Sequence, residues 1–280
     1  MDVTKRQQVA TRLGKLAHMV ETLIPRPAAT VLTLRDSPKG YEILMLRRNL
    51  RSDFVGGAYV FPGGAVDDDD AVADELVVGL DDVAASKRLK LDRGGLDFYV
   101  ACLRELFEEA GLLIACDERG ETVTFTDPTD IARLAAKRRA LNAGEMGFLA
   151  LMAEEGVRLD LRGLEYLAHW ITPVGPPRRY DTRFFVALAP EGQVATHDAG
   201  ETVADTWVRP RAALAAQRRG EFEMIRPTIY NLEAIEHFER ARDVLDYARG
   251  LSSIPCVEPR IIERDGAIVV VNPGEAGYDE

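Results

Sequence analysis

The run Arg104-Glu105-Leu106-Phe107-Glu108-Glu109-Ala110-Gly111-Leu112 constrains this chain more than any other stretch. Its apolar spacing predicts a helix from about Asp97 to Ala110, with Gly111 as a natural C-terminal cap. On that helix Glu105, Glu108 and Glu109 stand at i, i+3 and i+4, so three carboxylates share one face. Like charges about 6 Å apart, at an effective dielectric of about 20, cost roughly 3 kcal/mol per pair. A solvated face screens this to a few tenths and needs no further explanation. A face that lines a cleft needs compensation, and hard oxygen ligands select magnesium or manganese over zinc.

Around this helix the 280 residues read as one mixed α/β (α+β) domain over 1–280. Val9, Leu13, Leu16, Val20 and Leu23 recur at helical spacing and predict an N-terminal helix over 1–24, a candidate homodimer contact, stopped by Pro25 and Pro27. Strands are expected at 29–34 and 41–46 around a turn at 36–40, and a third at 58–61 ends in Pro62-Gly63-Gly64. Over 65–96 the composition turns acidic and polar, which reads as a surface insertion. The four aspartates that begin it, 67–70, read as a solvated charge run rather than a metal site. A second, helical insertion is expected over 128–156. Strands follow at 168–172, 183–188 and 206–208, then a short helix at 210–219. Pro227 opens one long helix over 227–250, and Asp265-Gly266 marks a hairpin over 258–272.

The formal net charge of −11 argues against partnership with a nucleic-acid polymer and against a polybasic hold on a membrane surface. Three cysteines are too few and too scattered for a disulfide framework or a structural zinc site. No apolar run approaches the ~18 residues needed to span a bilayer, and the start lacks a signal-peptide core. A cytoplasmic protein is expected. The four histidines fall in separate segments and read as packing or surface residues.

Taken with Phe61-Pro62-Gly63-Gly64, the 104–112 run resembles the Nudix box, which ends R-E-U-x-E-E-x-G-U with U aliphatic. The resemblance implies a Nudix-type α/β/α sandwich with a mixed sheet. It also implies metal-dependent hydrolysis of a nucleoside diphosphate linked to another moiety. Thirty-nine residues separate Gly64 from Arg104, where the pattern has thirteen, and the excess coincides with the acidic insertion. The family's first glutamate, the usual partner of the arginine, has no clear counterpart: its offset lands on Leu96, with Asp97 nearby. A long insertion at this point is a feature of the peroxisomal coenzyme A diphosphatase type. The segments 58–67, 170–173 and 178–185 are similar to that subgroup as well.

What the resemblance implies can be placed residue by residue. Glu105 and Glu109 are the expected principal ligands of Mg2+ or Mn2+, and Glu108 is a further ligand or a water-orienting base. Arg104 orients the glutamates, and the Gly64 (or Gly63) carbonyl completes the coordination shell. Glu201, from a later loop, is a candidate fourth acid with Asp205 behind it. Arg48 and Arg51 are candidates for a 3′-phosphate; the subgroup's arginine position before Gly57 holds Asp53. Arg178, Arg179 and Arg183 form a candidate second phosphate clamp. The implied small-molecule substrate is coenzyme A or acyl-CoA, cut to 3′,5′-ADP and 4′-phosphopantetheine or its acyl form. The alternatives are an ADP-sugar, NADH or dinucleoside polyphosphate pyrophosphatase, or a non-catalytic nucleotide-sensing module. Such modules commonly lose box glutamates, and all three are present here.

Overall fold

The computed structural model describes residues 23–50, 56–71, 74–198, 200–264 and 266–279. Residues 1–22 of the expected N-terminal helix, together with Arg51, Asp53 and Asp265, lie outside the described residues.

The first two apolar runs form β1 (Arg26–Ser37) and β2 (Gly40–Arg48), an antiparallel pair. Two short strands return to them, β3 (Tyr59–Val60) onto β2 and β4 (Gly63–Ala65) onto β1. The insertion then supplies 3-10 turns at Asp68–Asp70 and Asp74–Leu76, β5 (Val77–Val78) and α1 (Asp82–Leu89). The carboxylate-bearing helix is α2 (Gly95–Ala110). It is closed by Gly111, at φ +71, whose N–H donates to the Phe107 carbonyl. Next come β6 (Ala115–Cys116), α3 (Pro128–Asn142), α4 (Phe148–Glu155) and β7 (Arg158–Asp160). Then follow β8 (Glu165–Ile171), β9 (Tyr180–Leu188) and β10 (Thr202–Val208). The last third adds α5 (Pro210–Arg218), α6 (Arg226–Ile235), α7 (Ala241–Gly250), β11 (Cys256–Val257) and a hairpin of β12 (Arg260–Arg264) and β13 (Ala267–Val271).

The main sheet runs β10-β2-β1-β9-β8-β11, with β3 and β4 added to β2 and β1, while β5, β7 and β6 make a small second sheet. β1–β9 and β8–β11 are parallel and the other main-sheet pairs antiparallel, so the sheet is mixed. Side chains alternate between its faces. Ala29, Val31, Leu44, Leu46 and Phe185 pack on α2 through Leu103 and Phe107. Leu32, Leu34, Ile43, Met45 and Phe184 pack on α5–α7 through Leu214, Leu232 and Val244. Apolar burial on both faces explains why the strands read as near-continuous hydrophobic runs. This is the expected α/β/α sandwich. No helix among the described residues is long and apolar enough to cross a membrane.

Two expectations are corrected. The helix expected over 227–250 is two helices, α6 and α7, broken at 236–240. The break is held from the β1–β2 turn: the Tyr41 hydroxyl donates to the Ile235 carbonyl (2.6 Å), and the Ala241 N–H donates to the Asp36 carboxylate (2.8 Å). Helical periodicity cannot register such distant partners. The 65–96 insertion, expected at the surface, buries Val77, Ala85 and Leu89 and caps α2. Asp82 accepts the Leu96 N–H (3.0 Å) and the Gly94 N–H (3.2 Å), and Ser86 Oγ accepts that of Gly95 (2.9 Å). The Leu96 bond is the main reason that the Asp82 carboxyl sits below the usual carboxylate range.

Phe185 is fully buried, with ring centroids 4.6 Å from Tyr99 and 5.7 Å from Tyr166. Phe185→Ala is expected to lower unfolding free energy by about 3–5 kcal/mol, measured by denaturant titration.

Candidate active site

The helix α2 brings Arg104, Glu105, Glu108 and Glu109 to one end of a cleft of about 750 Å3. Arg104 is buried, and all five of its N–H donors are used. Nε and Nη2 bind the two oxygens of Asp70 (2.8 and 3.0 Å), and Nη2 also donates to the Ala65 carbonyl (2.9 Å). Nη1 is shared between Glu105 Oε1 (2.9 Å) and Glu108 Oε2 (3.0 Å). Asp70 is therefore the acid that pairs with Arg104, where the sequence showed no clear counterpart and offered only Asp97 nearby. It is only 1% exposed, which corrects the view of 67–70 as uniformly solvated. No periodicity separates Asp70 from its three aspartate neighbours; only the 3-10 turn at Asp68–Asp70 turns it inward.

The glycine pair forms the other wall. Gly63 N–H donates to Glu109 Oε2 at 2.9 Å. A Cβ placed on Gly64 would lie 2.3 Å from Glu105 Oε1, and one on Gly63 would lie 2.4 Å from the Ala29 carbonyl oxygen, so the glycine pair lets the strand approach both this carboxylate and β1. Glu109 is almost fully buried. Burial, and then the charge of Glu105, push its carboxyl well above the usual range. Burial raises Glu105 to about 7 despite the opposing Arg104 guanidinium, and raises Glu108 also. The cluster thus carries more negative charge than its one paired arginine offsets.

As the side chains stand, no three acidic, imidazole or thiol groups among the described residues converge on one point. Arg104 and the Gly63 N–H take up the oxygens that would otherwise face each other. The donor set nevertheless fits a hard divalent cation: buried, close carboxylates whose charged forms are penalised and whose oxygens lie on one helix face. Turning Glu105 and Glu108 away from Nη1 leaves Arg104 still held by Asp70 and Ala65.

The remaining expected residues divide. Arg48 lines the cleft, 4.0 Å from Glu201, and its Nε is buried without a hydrogen-bond partner. Glu201 lines it too, and its charge adds to the upward push on Glu105 and Glu109. Asp205 accepts from the His197 N–H (3.1 Å) instead of entering the cleft. Arg178 lines the cleft, but Arg179 and Arg183 do not, which corrects the proposed clamp. Alternation along β9 turns Tyr180, Thr182 and Phe184 to the cleft and Arg183 to the opposite face, 4.9 Å from the Phe98 ring centroid and paired with Asp181. Arg179 is buried, donating to the Thr172 and Leu23 carbonyls and to Glu258.

Three residues were missed. Asp198 lines the cleft and shapes the Glu201 loop by accepting the Gly200, Glu201 and Thr202 N–H groups; an Asx-turn pattern at 198–202 was the available signal. Arg138 and Asn142, from the second insertion, both donate to the Glu108 carbonyl (2.9 and 3.2 Å). They satisfy an end of α2 that favours cations. Nothing in the local sequence of α3 announces this.

Asp70→Asn removes a buried partner of a buried guanidinium and is expected to cost about 3 kcal/mol of stability. Asp67 is 58% exposed at its side chain and 3.8 Å from the same group, so Asp67→Asn should cost under about 1 kcal/mol. Paired urea titrations of the two variants check the contrast.

The family model described as the NUDT19 Nudix domain matches residues 82–235. Curated relatives named acyl-coenzyme A diphosphatase NUDT19 from Xenopus laevis and Gallus gallus are 25% and 28% identical. Those alignments cover 88% and 87% of this chain and 73% and 74% of the relatives. Among solved structures, a NUDIX hydrolase from Alicyclobacillus acidocaldarius is 29% identical with a TM-score of 0.63, covering 80% of this chain and 97% of that one. With the glycine pair, the arginine and the three glutamates assembled as described, this chain belongs to the Nudix hydrolases, in the NUDT19 Nudix domain family.

Proposed function

We propose that this chain is a divalent-metal-dependent diphosphatase of coenzyme A and acyl-CoA, releasing 3′,5′-ADP and 4′-phosphopantetheine or its acyl form. The observation that carries it is that Glu105, Glu108 and Glu109 line one end of an extended cleft, opposite Gly63 and Gly64. The curated relatives, named as acyl-CoA diphosphatases, support the substrate.

In this scheme Glu105 and Glu109 would hold Mg2+ or Mn2+, and the Gly64 carbonyl and Glu201 would be further ligands. A cation held there would stabilise charge on the phosphate oxygens and make the attacking water more acidic. Glu108, the most exposed of the three, orients that water and accepts its proton. Water oxygen bonds to one phosphorus, the bridging P–O bond breaks, and the leaving phosphate departs with the bond's electron pair. Arg104, fixed by Asp70, keeps Glu105 and Glu108 in register. Arg48 and Arg178 face the substrate's phosphates. The unpaired thiols Cys102, Cys116 and Cys256 suit a reducing, cytoplasmic setting.

The test offers purified protein CoA, acyl-CoA, NADH, ADP-ribose, ADP-sugars and dinucleoside polyphosphates with Mg2+ or Mn2+, and resolves products by chromatography. CoA and acyl-CoA should be cut and chelation with EDTA should abolish turnover. Turnover confined to another diphosphate would overturn the substrate, and tight binding without hydrolysis would favour a sensing module. Glu109→Gln should lower kcat roughly 10²- to 10⁴-fold. Burial already opposes charge at this position, so the same variant should keep or raise the unfolding midpoint in chelator.

A further inference from the structure

The cleft has a second end of different chemistry. From the glycine pair on β4 it runs across the sheet through Thr30 on β1, Thr182 and Phe184 on β9, and Trp170 on β8. At ~4.8 Å per strand, Trp170 lies about 14 Å from the glycines and β11 about 19 Å. Along this path the carboxylates give way to Trp170, Ile171, Pro173, Ile225, Pro227 and Val270, with Arg178 and Arg226 between them.

Val270 belongs to the hairpin, and the apolar lining continues onto it. Val270 stands opposite Ile261, and Ile268 opposite Glu263, so all four share one hairpin face. On that face Ile261 is 39%, Val270 37% and Ile268 80% exposed, while Val271 on the other face is buried. Ile261 reaches the cleft-lining loop after β8: a Cβ on Gly175 would lie 3.1 Å from its Cδ1. The hairpin is anchored, since the Tyr278 hydroxyl donates to the Glu258 carbonyl (2.8 Å) and Asn272 Nδ2 to the Tyr230 hydroxyl (2.7 Å). Tyr230 in turn sets its ring against Trp170, with centroids 5.3 Å apart.

We propose that this strip, Trp170–Val270–Ile261–Ile268, is the binding surface for the acyl chain of the substrate. The inference rests on the coenzyme A reading above. A diphosphate held at the glutamates leaves two tails, an anionic 3′-phosphoadenosine and a pantetheine ending in the thioester. Arg178 and Arg226 stay within the cleft lining, where they suit phosphate oxygens, whereas on the hairpin face the one charged side chain is Glu263, which disfavours the anionic tail, and its apolar neighbours match an alkyl chain. The strip is continuous with the cleft at Val270.

The test measures kcat/KM for CoA and for saturated acyl-CoAs from acetyl to decanoyl, in the unsubstituted protein, Ile268→Glu and Val83→Glu. Val83 is an equally exposed apolar residue on α1 outside the cleft lining. The unsubstituted protein and Val83→Glu should gain up to about fourfold per added methylene, and in Ile268→Glu the long-chain to free-CoA ratio should fall toward one. A flat chain-length profile in the unsubstituted protein, or a retained slope in Ile268→Glu, overturns the inference. A retained slope with altered sedimentation marks the face as a self-association surface instead. Failure to cut any CoA compound would sink the coenzyme A reading itself, a distinct result.

Discussion

Arg104 is the point on which the site is assembled. Its guanidinium is buried, and such a charge persists only when paired and hydrogen-bonded on every side. The Ala65 carbonyl at the end of β4 and Asp70 in the turn beyond it supply one side; Glu105 and Glu108 supply the other from its own helix. One side chain therefore fixes the distance between the glycine strand and α2, and with it the geometry of the carboxylates. Asp70, Glu105 and Glu108 share this one paired cation while Glu109 lies buried beside Glu105, and burial pushes all three glutamate carboxyls above their usual range. A divalent ion and an anionic diphosphate arriving together would complete the balance.

The two long insertions attach to this same helix at different levels. Asp82 and Ser86 receive the first N–H groups of α2, Asp70 holds its middle through Arg104, and Arg138 with Asn142 meets the Glu108 carbonyl near its end. Segments that lengthen the chain relative to a compact box thus act as its buttresses. Acidity in the first insertion is partly put to this use.

What the sequence revealed follows from the range of each interaction. The helix, its cap and the shared face of Glu105, Glu108 and Glu109 come from contacts within four residues, and the glycine pair from steric need at one wall. The β1–β2 pair was legible for the same reason. Asp70 was not, because its bond to Arg104 spans 34 residues and its three neighbours are chemically identical. Arg178 and Arg183 looked equivalent as cations, yet Arg178 lies in the loop before β9 and lines the cleft, while alternation along β9 turns Arg183 to the opposite face. The break between α6 and α7 depends on a hydroxyl and a carboxylate in the first hairpin, beyond the reach of helical periodicity.

That break also bears on how the chain is made. Tyr41 and Ile235 are 194 residues apart, and Asp36 and Ala241 are 205 apart. At about 5–20 residues per second, a ribosome needs roughly 10–40 s to deliver the second partner after the first. Throughout that interval Leu32, Leu34, Ile43 and Met45 present an uncovered apolar sheet face, because the helices that shield it come last. The helices that end this exposure dock through the two polar groups of the first hairpin, Tyr41 and Asp36.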